Sequence, residues 1–279
     1  MNKHQVTLTQ ITSSQPEILT KRYALDDSRN IQKSTVANMV SAFTMQTTLS
    51  SAEDMAKLLS GLKTNNALCY GITPKPDMQL LSKFEYEKLG KSAGATTRTK
   101  DQMQWPSGGG VLMLDYDPPE GARALTKSQL IETLTGVLPE LSTSPWVWWC
   151  SSSSLIYNGM EQLYGIRGQR VYILVKDASD IPRAGKVLFS RLWLAGHGYM
   201  MVNRAGNLLE RSTIDANVWQ TNRLDFAAGA KCMPPLEQRR GKPEFSNGKL
   251  LDTAETLPDL TPEQLVDVQA AKLRAKEEV

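Results

Sequence analysis

"GGGVLMLDYDPPEG", residues 108–121, sets three glycines before four apolar residues and closes on Asp115, Tyr116 and Asp117 ahead of two prolines. The apolar run is short for a helix and reads as an inner strand, and the prolines force a turn directly after it. Side chains alternate along a strand, so Asp115 and Asp117 face one way, about 6–7 Å apart at the backbone, while Tyr116 faces the other. Two carboxylates held together repel unless something positive sits between them. A hard divalent cation such as magnesium or manganese meets that need and keeps positions free for phosphate oxygens and water. Aspartates before proline and glycine also serve simply to cap a turn, and these fourteen residues alone do not choose between the two uses.

Around this strand the chain predicts a mixed α/β fold of the α+β type. Downstream, Thr126 and Gln129 form a capping box ahead of "LIETLTGVL", whose Leu130, Ile131, Leu134, Val137 and Leu138 make one apolar stripe ended by Pro139. "PWVWWCSSSS" and "QRVYILVKD" supply two further strands, and "DIPRAGKVLFSRLWLAGHG" a helix with Asp180 as its cap and Gly196 at its end. "YMMVNRAGNLLERSTID" reads as a hairpin around Ala205 and Gly206. Upstream, the first third reads as mostly helical: Ser51 caps "SAEDMAKLLSGL", and "PDMQLLSKFEYEKLG" repeats the helical spacing, with "NALCYGITP" a short strand between them. The basic, glycine-bearing stretch "KSAGATTRTKDQMQWPSGGG" reads as a loop that meets a ligand. Residues 242–262 look like an irregular linker, and Thr261, Pro262 and Gln264 start a C-terminal helix that lies on the domain or leads to a further module. The expected organisation is an N-terminal unit over 1–107, a core over 108–241 and a linker with a helix over 242–279.

Bulk properties exclude more than they assign. With 279 residues, 41% of them apolar and 22% charged, the chain is neither collagenous nor of low complexity. A formal charge of +3 from 32 basic and 29 acidic residues is too small to mark a nucleic-acid partner without clustering. Cys69, Cys150 and Cys232 form no C-x-x-C pair, which argues against a disulfide framework or structural zinc and for a reducing cytoplasm. No signal-like or membrane-spanning apolar run occurs, so no membrane partner is expected.

The segment "ERSTIDANVWQTNRLDF", residues 210–226, places Asp215 after Ile214 and an Asn222-Arg223 pair before "LDF". A third carboxylate would complete a two-metal site, and an arginine beside it would neutralise phosphate or brace the site. The ordered set "VLMLDYD", "SSSS…GIRGQRVYILV" and "STIDANVWQTNRLDF" resembles the archaeo-eukaryotic primase superfamily, most of all the primase-polymerase branch of phages, plasmids and other mobile elements. The likeness runs from about Val111 to about Gly229.

This resemblance implies an RRM-like catalytic core packed on a smaller N-terminal α/β unit, with the active site in the cleft between them. It implies template-directed transfer from NTP or dNTP with magnesium or manganese, a single-stranded DNA template, and a replicative helicase as a further partner. Carried across, Asp115, Asp117 and Asp215 are the metal and catalytic carboxylates. Where the family has a Ser-x-His motif this chain has Gly168, Gln169 and Arg170; Arg170 is assigned to nucleotide phosphate in place of the histidine, with more donors but no proton to exchange at neutral pH. Ser152, Ser153, Asn222 and Arg223 join it as nucleotide-binding residues, and Arg98, Lys100 and Trp105 in the basic loop as nucleic-acid contacts. Two other readings stay open: a non-catalytic replication-initiation or single-stranded DNA-binding domain of the same fold, and a D-x-D glycosyltransferase, which the Asp215 and Asn222-Arg223 segment disfavours.

Overall fold

In "VTLTQITSSQ" and "SAFTMQTTL" threonines and aliphatic residues alternate, a period of two that suits a pleated surface rather than a helix. In the computed structural model, which describes residues 5–92, 94–119, 121–203 and 205–279, these segments are the long strands Val6–Gln15 and Ser41–Leu49. They sit inside a five-stranded sheet whose order is Asn66–Cys69, Val6–Gln15, Ser41–Leu49, Asp77–Leu81, Ala95–Thr97. The first third is therefore largely β, not mostly helical. Its one long helix, Ala52–Gly61, is capped by Ser51 as expected and buries Ala52, Met55, Ala56 and Leu59.

The stretch read as a second helix divides. Asp77–Leu81 is recruited as a strand by pairing with Ser41–Leu49, and only Lys83–Lys88 is helical, capped by Ser82. Helical spacing misled because the stripe it implied is not buried: Phe84 is 71% exposed and Leu89 56%.

The second layer is a four-stranded antiparallel sheet in the order Glu244–Ser246, Trp146–Cys150, Gln169–Val175, Gly110–Tyr116. One face carries Leu112, Leu114, Val171 and Ile173, all buried, in the core shared with helices Lys127–Val137 and Ile181–Leu194. Thr126 and Gln129 form the expected capping box. Asp180 precedes the second helix without a side-chain cap bond, because its carboxylate is gripped by Arg183 through Nε at 2.6 Å and Nη2 at 2.7 Å. The hairpin Gly198–Val202 and Leu208–Ser212 follows.

Residues 242–262 do not form a free linker. They add the edge strand Glu244–Ser246, and Arg183 holds the carbonyl of Leu257 at 2.7 Å. The C-terminal helix Pro262–Glu277 lies on the domain, with Val268 buried and Lys272 over the Trp193 ring. Two small sheets complete the architecture: Lys21–Leu25 with Ile31–Thr35 and Lys231–Cys232, and Ile156–Asn158 with Glu161–Tyr164 and Leu236–Gln238. Among the described residues no helix is long and apolar enough to cross a membrane.

The loop after the hairpin is locked onto the core through Trp219, whose indole donates to the Met113 carbonyl at 3.0 Å and whose ring lies on Gly185. A Cβ at Gly185 would stand 2.2 Å from that ring. Gly185→Ala is therefore expected to lower stability by about 1–3 kcal/mol through overpacking, although alanine favours a helix interior over glycine by about 1 kcal/mol. The urea midpoint measures it; a midpoint at or above that of the unmodified protein would contradict this packing.

Candidate active site

Asp115 lies near the end of Gly110–Tyr116, directly opposite Arg170 of Gln169–Val175, which in turn faces Trp149. Opposed residues share a face of an antiparallel sheet, so Asp115, Arg170 and Trp149 form a row turned toward the N-terminal sheet. There the strand Asn66–Cys69 meets Asp225: Leu68 N–H donates to the Asp225 carbonyl at 3.0 Å, and Asp225 N–H to the Leu68 carbonyl at 2.8 Å. This bridge carries the Asp225 carboxylate into the space between the two sheets, where its side chain is 1% exposed.

A closed network results. Arg170 Nε stands 3.1 Å from Asp225 Oδ1 and 3.4 Å from Asp115 Oδ1, and Nη1 donates to the Phe226 carbonyl at 3.2 Å. The other Asp225 oxygen accepts from Tyr70 Oη at 2.6 Å and Tyr172 Oη at 3.0 Å. Arg170 Nε and Asp225 Oδ1 are close without being aligned as a hydrogen bond, so charge attraction rather than a directed bond holds them. Burial opposes the Arg170 charge, but Asp225 and Asp115 outweigh it and hold the guanidinium above its ordinary pKa. Burial and the neighbouring Asp225 lift both tyrosines well above theirs.

Above this network lies an open cleft of about 230 Å3 whose walls include Asp115, Asp117, Asp215, Arg211 and Tyr199. The three carboxylates expected from the sequence thus share one cavity, although 98 residues separate Asp117 from Asp215. Asp215 is brought there by its own backbone, whose N–H donates to the Asp115 carbonyl at 2.9 Å. Asn217 donates to its Oδ1 through N–H at 3.0 Å and Nδ2 at 2.9 Å, and Arg211 approaches it at 3.4 Å. Arg223 Nη2 stands 3.9 Å from its other oxygen. Asp117 lies one residue beyond the strand end and is exposed. Gly168 leaves it room: a Cβ there would stand 2.4 Å from Asp117 Oδ1.

Burial, opposed by Arg170 and reinforced by Asp117, Asp225 and Asp215, pushes the Asp115 carboxyl up to about 6. Lys21, at the start of Lys21–Leu25, is half-buried; burial lowers its pKa while Asp117 and Asp115 pull the other way. In donor chemistry the cleft suits a hard cation, since carboxylates line it without thiol or imidazole. Among the described residues no three such side chains are already gathered closely enough to hold an ion.

The remaining expected site residues are spread more widely. The Arg170 guanidinium is engaged inside the fold, 12% exposed, rather than presented to a nucleotide phosphate. Ser152 and Ser153 are buried in a turn, where Ser151 Oγ and Ser153 Oγ lie 2.8 Å apart. Arg98 Nη1 donates to the Asn222 carbonyl at 2.6 Å, and Asn222 Nδ2 returns a bond to the Arg98 carbonyl at 3.3 Å, so this pair stitches the basic loop to the segment before Asp225. Trp105 packs against the core, and Lys100 is exposed. Sequence reasoning missed Asp225, Tyr70, Tyr172, Arg211 and Lys21. Asp225 carried a signal, a carboxylate enclosed in the apolar "LDF"; Arg211 stood four residues before Asp215; the tyrosines and Lys21 carried none.

No family model matches the chain, and no curated protein or solved structure matches it either.

Removing one member of a buried ion pair strands the other charge. Asp225→Ala is expected to cost about 3–5 kcal/mol in urea unfolding, and Tyr70→Phe only about 1 kcal/mol; equal small losses would mean that Arg170 does not depend on Asp225. Asp115 gives a pH-dependent expectation. Its folded-state pKa, about 6 against an ordinary 3.8, means that ionisation opposes folding. That penalty is absent below pH 4, grows as pH rises, and is complete above about pH 6, where it amounts to about 3 kcal/mol. Without added metal, Asp115→Asn should therefore unfold at higher urea than the unmodified protein at pH 8, with the gap closing by pH 4. A gap independent of pH would refute this reading.

Proposed function

We propose that the protein is a template-directed DNA primase-polymerase, transferring nucleotides from NTP or dNTP. The observation that supports this most is that Asp115, Asp117 and Asp215 line one open cleft. Within the four-stranded sheet the order is strand Gly110–Tyr116, helix Lys127–Val137, strands Trp146–Cys150 and Gln169–Val175, helix Ile181–Leu194, with the first and third strands adjacent and the hairpin Ile156–Tyr164 inserted into another sheet; this supports the RRM-like core that the family resemblance implies.

In this reading Asp115, Asp117 and Asp215 hold the divalent cations. Magnesium or manganese, when bound, lowers the pKa of the attacking 3′-hydroxyl and stabilises the leaving pyrophosphate. The protein's own residues set the conditions. Arg170 fixes Asp115 from below, and Asp225 with its two tyrosines fixes Arg170, so the guanidinium is a positioning residue rather than a phosphate contact. Arg211 lies in the cleft beside Asp215, and Arg223 approaches Asp215 from the loop that follows; both are placed to draw the triphosphate toward the carboxylates. Lys21 adds a cation within electrostatic reach of Asp115 and Asp117.

One observation favours the non-catalytic alternative: Asp115 faces a guanidinium that already neutralises part of its charge. Nucleotide incorporation on a single-stranded DNA template, with and without primer and with magnesium or manganese, separates the two. Metal-dependent synthesis that falls at least about a hundredfold, roughly 3 kcal/mol, in Asp115→Ala and in Asp215→Ala supports the polymerase. Template binding without synthesis in either metal supports the binding domain instead.

A further inference from the structure

The row Asp115, Arg170, Trp149 continues beyond the sheet, because the guanidinium of Arg240 stacks on the Trp149 ring 4.3 Å from its centroid. Arg240 is half-buried, and Nη1 donates to the carbonyls of Cys150 and Ala227, both at 3.1 Å. Burial, reinforced by Arg170, lowers its pKa to about 10, and among the described residues it has no carboxylate partner. A guanidinium withdrawn from water beside another cation, with no acidic partner, is costly unless an anion joins it.

Arg240 opens onto a second cleft, of about 570 Å3, whose walls include Trp149, Lys231, Gln238, Arg240 and Lys242. Lys231 stands in register with Arg22 of the neighbouring strand, which extends the positive surface. Glu237 is the one acidic residue of this lining, and Arg239 already pairs with it. Neither Lys231 nor Lys242 takes part in an ion pair among the described residues. Two further arginines beside this region stand over aromatic rings, Arg239 over Tyr157 at 4.6 Å and Arg167 over Tyr164 at 4.9 Å. Asp115 and Trp149 are two strand spacings apart, about 10 Å, so the acidic and basic clefts lie at the two ends of one short row.

We propose that the cleft formed by Arg240, Lys231 and Lys242 seats the phosphodiester backbone of single-stranded DNA on the opposite side of the buried Arg170 from the carboxylate cleft. The proposal rests on the polymerase reading for the strand's role as template, but its chemistry is phosphate recognition by cations that have no ion-pair partner among the described residues. The cleft gathers three cations against a single acid that is already paired, whereas the carboxylate cleft sets three acids against Arg211.

Lys231 and Lys242 are exposed, so Lys231→Gln with Lys242→Gln leaves the fold in place, whereas Arg240 braces two carbonyls. Binding of a fluorescent oligothymidylate by anisotropy over a salt series is the test, with Lys83→Gln plus Lys88→Gln, on the short helix outside the cleft, as a charge-matched control. Loss of two phosphate contacts should make the slope of log affinity against log salt shallower by about 1.4 and weaken binding at low salt about tenfold, with the control close to the unmodified protein. Unchanged affinity and slope, an equal loss in the control, or no binding by the unmodified protein would overturn it. So would an intact strand affinity with reduced affinity for a labelled deoxynucleoside triphosphate, which would give the cleft to nucleotide instead. Because the readout is binding, the two ideas fail separately: strand binding through these lysines without synthesis sinks only the polymerase, and synthesis with unaltered strand affinity sinks only this cleft.

Discussion

Arg170 is a charge that the fold encloses between two sheets, and the surrounding architecture is arranged to make that tolerable. Asp225 supplies the opposing charge at 3.1 Å and Asp115 adds to it at 3.4 Å, while Tyr70 and Tyr172 occupy the second Asp225 oxygen. Asp115, Arg170 and Tyr172 stand on the four-stranded sheet, while Tyr70 directly follows the strand Asn66–Cys69 and Asp225 is bridged to it, so the network exists only when the two layers are docked. A buried pair of this kind adds little net stability over an apolar alternative, but it penalises any arrangement that separates its members. Here the penalty falls on misplacing Asp115, whose side chain faces the carboxylate cleft.

The same guanidinium divides the surface electrostatically. On one side of the row Asp115, Asp117 and Asp215 accumulate negative charge with Arg211 beside them. On the other, Arg240, Lys231 and Lys242 accumulate positive charge over Trp149. The formal charge of +3 conceals this, since a sum over 32 basic and 29 acidic residues carries no positions.

Local patterns were legible wherever a short segment decides its own geometry. The capping boxes at Thr126 and Thr261, the strand Gly110–Tyr116 and the hairpin from Gly198 all follow from neighbours in sequence, because caps, alternation and turn residues act over a few positions, whereas the place of that strand, at the edge of its sheet and not inside it as expected, does not. Asp115, Asp117 and Asp215 could be singled out for a related reason: each is a carboxylate at the end of an apolar segment, where a buried stretch meets a cavity. The N-terminal third failed where the competing periods were close. The spacing in "PDMQLLSKFEYEKLG" fits a helix, yet the unpaired edge of Ser41–Leu49 offers backbone bonds to Asp77–Leu81 that a lone amphipathic turn cannot match.

The sequence by itself determined the main strands and helices between Gly110 and Ser212 and the chemical type of the site, carboxylates with arginines beside them, because residue identity and short-range periodicity are local properties; the short strands Ile156–Asn158, Glu161–Tyr164, Lys231–Cys232 and Leu236–Gln238 were not legible in it. Only the tertiary structure decided that Arg170 lies against Asp225 and Asp115, and that Arg240 has no acidic partner among the described residues. Those outcomes depend on which distant groups share a desolvated space, and the energy of a buried charge is set by that space rather than by the residues next to it in the chain.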